Sequence, residues 1–169
     1  MSQAGEFIDA ALQREASENR AVEDYCRLGS PRGLRVYGAS VGAIRGTLRD
    51  VLRGNPLFSH DEVTALSSEL WAVPVFERRL AAIVLLQSHV GLLIVGDLTR
   101  LEGFLRTAEV AELADPLVTD VVSPLLAGLD SAARSRAMIV LGRWAVDENH
   151  WLGYAAAELS AGPGRSARR

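Results

Sequence analysis

The chain contains no lysine, so all eighteen of its basic residues are arginine. That usage fits a GC-rich genome, and arginine also makes the better bidentate contact with phosphate. Cysteine is nearly absent too: Cys26 stands alone, which excludes an internal disulfide and fits a reducing, cytoplasmic compartment. Long hydrophobic runs are missing. The most apolar stretch, Leu80 to Val95, is interrupted by Gln87, Ser88 and His89, and MSQAGEFIDAALQRE lacks the basic and apolar regions of a signal peptide, so no membrane span is expected. His60, His89 and His150 lie far apart without ligand spacing, so no metal site is expected. No glycine loop cradles phosphate, no nucleophile elbow occurs, and no stretch alternates with the period of two that a half-buried strand needs.

What is present is a globular composition, 49% hydrophobic and 23% charged over 169 residues. A chain of this length buries roughly 70% of the surface its unfolded form exposes, and we expect one domain over 1–159. From Ser160 the sequence SAGPGRSARR has helix breakers and no periodicity, so 160–169 is expected to be a disordered tail. The net charge is −3, which argues against a uniformly basic nucleic-acid binder. The charge is uneven, however. Arg27, Arg32, Arg35, Arg45, Arg49 and Arg53 share their segment with a single acid, Asp50, a local excess of five positive charges.

Helical signals recur along the chain. Ser59 and Glu62 have capping-box spacing, Asp61 lies in the first turn, and Val63, Leu66 and Leu70 form a stripe that Pro74 terminates. In VFERRLAAIVLL the apolar residues cover nearly the whole circumference, as on an inner helix, so 59–86 reads as a hairpin. Arg45, Arg49 and Arg53 mark one face of another helix, with Val41, Ile44, Leu48 and Leu52 opposite. Asp97 can cap LTRLEGFLRTA. A helical stretch covers 108–129, broken at Pro116 or Pro124, Asp130 can cap a helix ending near Trp144, and a last helix begins near Glu148. The spacing of hairpins suits HEAT-type repeats of roughly 40 to 47 residues. The expected fold is therefore all-α, a HEAT-like helical repeat array wound as an α-α superhelix, with an irregular bundle as the alternative.

The string LSSELWAVPVFERRLAAIVLL resembles a recurring block of the AlkD-like DNA alkylation repair family, in which a helix ends in Leu-Trp and the next opens with Glu-Arg-Arg. LGRWAVDENHWL resembles the family's later pattern of tryptophan, acidic loop and tryptophan. With GDLTRLEGFLRTA and ADPLVTDVV, the resemblance spans 27–152. It implies a basic face that holds duplex DNA, and excision of cationic N-alkylated purines by a DNA glycosylase in base excision repair. No metal or organic cofactor is implied. A cationic alkylpurine is already a good leaving group, so one carboxylate placed to stabilise an electron-poor sugar suffices. The family's aspartate matches Asp115 in AELADPLV, and sliding the match by five residues would select Asp120 instead.

The sequence also departs from the family pattern. The family's tryptophan four residues before the aspartate is Ala111 here, and the basic pair expected after Trp151 and Leu152 is Gly153 and Tyr154. Tyr154 can donate a hydrogen bond to a phosphate but brings no charge. Further helices usual in the family give way to AAAELSAGPGRSARR, which suggests a shortened descendant of a longer protein. Two functions stay open: an alkylpurine glycosylase using Asp115, with Arg45, Arg49, Arg53, Trp151 and Tyr154 meeting DNA, or a catalytically degenerate module that binds DNA or a protein. Each residue also has a plainer role. The arginines on 45, 49 and 53 suit a solvated face, Asp115 a helix cap or turn, Glu77, Arg78 and Arg79 caps or intra-repeat pairs, and Trp71 and Trp144 the core.

Overall fold

A computed structural model describes residues 2–54 and 57–161, and among them there is no strand, only one isolated parallel bridge between Arg35 and Val75. The chain groups into two compact units, Met1–Leu92 and Leu93–Arg169. No helix among the described residues is long and apolar enough to cross a membrane.

The first unit holds α1 (Gln3–Arg14), α2 (Glu18–Arg27), α3 (Val41–Gly54), α4 (His60–Ala72) and α5 (Phe76–Ser88). Its centre is the expected hairpin. The Ser59 hydroxyl accepts from the Glu62 amide at 3.3 Å, and the Glu62 carboxylate accepts from the Ser59 amide at 2.8 Å, completing the capping box. Val63, Leu66, Leu70 and Trp71 are buried on α4, and α5 is buried almost all round. Ile44 and Leu48 seat α3, but Val41, expected on the same face, is half exposed because it opens the helix beyond its packed turns. α1 and α2, whose amphipathic stretches the sequence reading left unassigned, begin at Ser2 and Ser17, each accepting from an amide three residues on.

The opening of α5 buries charge, which is costly unless every group finds a partner. Glu77 is wholly inaccessible. Its carboxylate accepts from the amides of Tyr37, Gly38 and Ala39 at 3.0, 2.7 and 3.2 Å, so it clamps the loop before α3. Gly38 sits at φ +79°, and a side chain there would run into the backbone of Ser17 and Ala21. Arg78 pairs with Asp9 at 3.0 Å and donates to the Glu69 carbonyl. Arg79 donates to the Trp71 carbonyl, and its guanidinium lies 5.2 Å from the Trp71 ring centre.

The second unit holds α6 (Leu98–Arg106), α7 (Ala111–Pro116), a wide π turn (Leu117–Val122), α8 (Ser123–Gly128), α9 (Ser131–Trp144) and α10 (His150–Ala161). Asp97 precedes α6 but does not cap it: its carboxylate turns back to accept from the Ile94 amide at 2.8 Å, closing a 3-10 turn. The break in 108–129 falls at neither proline but between them. The Ser123 amide reaches back to the Val118 carbonyl, an i→i+5 bond, where Pro124, lacking an N–H, cannot serve the Asp120 carbonyl. Asp130 caps α9 through the Ala133 amide at 2.7 Å, as expected. The last helix starts at His150, near Glu148 as expected, and the Asn149 carboxamide is the acceptor for the Trp151 and Leu152 amides. Ser160 and Ala161 complete α10, so the expected tail does not begin there; 162–169 lie outside the described residues.

Trp144 is buried, and its indole N–H donates to Glu102 at 2.9 Å. Arg106 bridges Glu102 at 2.9 Å and Asp147 at 2.6 Å, tying α6 to the loop before α10.

Candidate functional site

Asp115 lies near the end of α7 with its side chain exposed. The helical run continues beyond it through the π turn, so Asp115 is not an N-cap. Its charge reaches the Tyr154 phenol of α10 and helps to push it up. α10 also carries Trp151 one turn earlier, with its ring edge-on to Tyr154 at 6.1 Å between centroids, and His150 packs edge-on against Trp151 at 4.8 Å. The structure therefore brings together Asp115, Trp151 and Tyr154, three of the residues picked from the sequence. Burial first, then the Asp115 carboxylate and the Glu158 charge, push the Tyr154 phenol well above its ordinary range, so it is neutral at any working pH.

Thr119 and Glu158 were not foreseen. Thr119, one helical turn after Asp115, places its hydroxyl 3.0 Å from both the Asp115 carbonyl and the Asp120 carboxylate. Asp120 is therefore served by its own neighbour. The only available signal for Thr119 was its spacing of four from Asp115, which is too common to single it out.

Neither the stretch from Ala111 to Val122 nor α10 contains an arginine, and together they carry the acids Glu112, Asp115, Asp120 and Glu158. An exposed carboxylate such as Asp115 has the chemistry to stabilise a cation at close range. Arg45, Arg49 and Arg53 belong to the first unit, where they project from α3 opposite Ile44 and Leu48 and are exposed. Arg53 lies 3.7 Å from Asp50, but both side chains are open to solvent, so the pair leaves the guanidinium available. Glu77, Arg78 and Arg79 are internal braces, as the plainer reading held, and Trp71 and Trp144 are core residues. No group of three or more His, Cys, Asp or Glu side chains among the described residues could hold a metal ion.

Two comparisons bear on this arrangement. No curated protein matches the chain. The model of a family described as DNA alkylation repair enzyme matches residues 8–167.

Proposed function

The chain belongs to the DNA alkylation repair enzyme family, all-α and HEAT-like, and from that premise we propose that it binds duplex DNA and excises N-alkylated purines with Asp115 as the catalytic carboxylate. The observation that supports the reading is an exposed carboxylate at Asp115 in a chain that matches the DNA alkylation repair enzyme family. In the reaction the bond from the sugar C1′ to the purine nitrogen breaks, and its electron pair leaves with the base, cancelling the positive charge there. The sugar becomes an oxocarbenium ion, which Asp115 stabilises until water adds at C1′ and loses a proton, leaving an abasic site. The exposed arginines of α3 are the proposed phosphate contacts.

The test is release of free 7-methylguanine from modified duplex by the wild type and by Asp115→Asn. Release that the substitution lowers on the order of a hundredfold supports the reading, since removal of one well-placed electrostatic stabiliser has effects of that size. Equal background release from both overturns it.

A second reading, a module that binds DNA or a protein partner without cleaving a bond, is favoured by Ala111 and Tyr154, which stand where the family pattern has an aromatic and a basic residue. It predicts salt-dependent DNA binding with no base release.

A further inference from the structure

We infer that the cleft between α1, α3 and α4 is a binding site for a small apolar cation, an ammonium group carried on an aromatic or alkyl body. The cleft lies wholly in the first unit, so the inference is independent of the chemistry proposed for Asp115.

The cleft encloses about 600 Å³, within the roughly 300–1,000 Å³ typical of small-molecule sites. Its walls follow from helical spacing. Glu62, Leu66 and Glu69 recur at intervals of four and three on α4, and Asp50 and Gly54 at an interval of four on α3, so each helix gives it one face. Leu66, which is buried, and Val51 supply aliphatic surface, and the rings of Phe7 and Phe58 line it as well. Phe58 is steadied by His89, edge-on at 5.7 Å between ring centroids. Phe7 is 48% exposed, so apolar surface stands open at the cleft for a ligand to cover.

The charge of the cleft has one sign. Asp50, Glu62 and Glu69 are the ionisable residues among its described lining, and all three are acids. Glu69 is already committed: both its oxygens accept from the Ser2 amide at 3.0 Å, in room that Gly5 leaves by having no side chain. With the Ser2 hydroxyl, which accepts from the Gly5 amide, it meets the start of α1, which would otherwise draw an anion. Glu62 gives only Oε2 to the capping box, accepting from the Ser59 amide and hydroxyl at 2.8 and 2.7 Å. Those bonds hold its carboxyl below the ordinary carboxylate range, so it is charged at neutral pH, and Oε1 lies outside the box. Asp50 meets Arg53 at 3.7 Å with both side chains open to solvent, a contact that costs little to give up. Two carboxylates therefore remain for a cation beside two phenyl rings, whose faces attract cations too. An anion of the same size would meet only like charge.

The experiment is an NMR titration of the full chain with benzyltrimethylammonium, benzyl alcohol and benzenesulfonate, which share a phenyl ring and differ in charge. The cation should bind with a dissociation constant on the order of 1 mM, as suits so small a ligand. The alcohol should bind more weakly and the sulfonate not at all. Asp50→Asn combined with Glu62→Gln should weaken the cation about fivefold, the scale of two partly exposed ion pairs. Glutamine can still serve the capping box, so α4 keeps its start. Ala65→Trp, at an exposed lining position of α4, fills the cleft and should abolish binding while circular dichroism shows the helices intact.

No binding of the cation overturns the inference. So does binding of the alcohol or the sulfonate as tight as that of the cation, because the carboxylates would then select nothing. An unchanged affinity in either folded variant places the cation elsewhere and overturns it as well. Should Ala65→Trp fail to fold, the paired charge substitutions decide alone.

Discussion

The opening of α5, in the first unit, and the outer sides of α6 and α7, in the second, treat ionisable side chains in opposite ways. In the first, Glu77, Arg78 and Arg79 are 0, 2 and 7% exposed and each is matched to a partner inside the protein. In the second, Asp115 is exposed and the Arg106 side chain, 41% exposed, bridges Glu102 and Asp147 at the surface. A buried charge has no solvent to fall back on, so its partners and its identity are bound to the scaffold. An exposed charge can be replaced at small cost to folding, which leaves function as its main constraint. This explains why the block that reveals the family, Glu-Arg-Arg, carries none of the proposed chemistry, and why departures from the family pattern at Ala111 and Tyr154 leave the scaffold intact.

Substitution at Glu77 should break the first unit hardest. Glu77→Ala strips three buried amides of their acceptor at once, and urea unfolding should show a loss of about 3 kcal/mol or more. A loss no larger than that of a surface substitution would erase the contrast between the units. Asp115→Asn should do the reverse, lowering base release about a hundredfold, near 2.7 kcal/mol of barrier, with an unchanged unfolding midpoint. If instead it unfolds the protein, Asp115 belongs with the braces.

Replacing Arg45, Arg49 and Arg53 together by Gln tests whether exposed charge in the first unit serves binding. Each phosphate contact removed should flatten the plot of log affinity against log salt by about 0.9. An unchanged slope would exclude that face, and the unfolding curve should not move in either case.

The smallest effect belongs to Arg106→Leu. Its bond holds the Asp147 carboxyl below the ordinary carboxylate range; at Glu102 partial burial pushes upward, but the bonds from Trp144 and Arg106 outweigh it. Carboxylates so lowered stabilise the fold when ionised, so the contribution is present at neutral pH and disappears as the pH drops through their lowered values. The melting temperatures of wild type and variant should differ modestly at neutral pH and converge in acid. Curves that stay parallel would show that the bridge contributes nothing to stability.

Much of the helical order was legible because its signals are local. Ser59 with Glu62, Asp130 before α9, and Ile44 with Leu48 on α3 each announce themselves within a turn or two, and the structure gives them the expected roles. Asp97 misled because the same carboxylate serves either the helix ahead or the turn behind, and only the path of 94–97 decides which. The π turn was invisible for a related reason: two prolines mark a break, but the compromise between them depends on how the backbone recovers its bonds. At the candidate site, the residues themselves could be chosen from the chain, but the influence of the Asp115 charge on Tyr154 joins positions far apart and has no local mark.

The clamp at Glu77 also has a meaning in time. The amides it holds lie 38 to 40 residues earlier in the chain. A ribosome adds roughly 5–20 residues per second, so the loop around Gly38 waits seconds for its carboxylate. Until α5 emerges, three amides destined for a dry interior face water, and the nascent N-terminal helices have no latch. The first unit therefore closes from its C-terminal side, and a pause in translation before Glu77 would prolong its unlatched state.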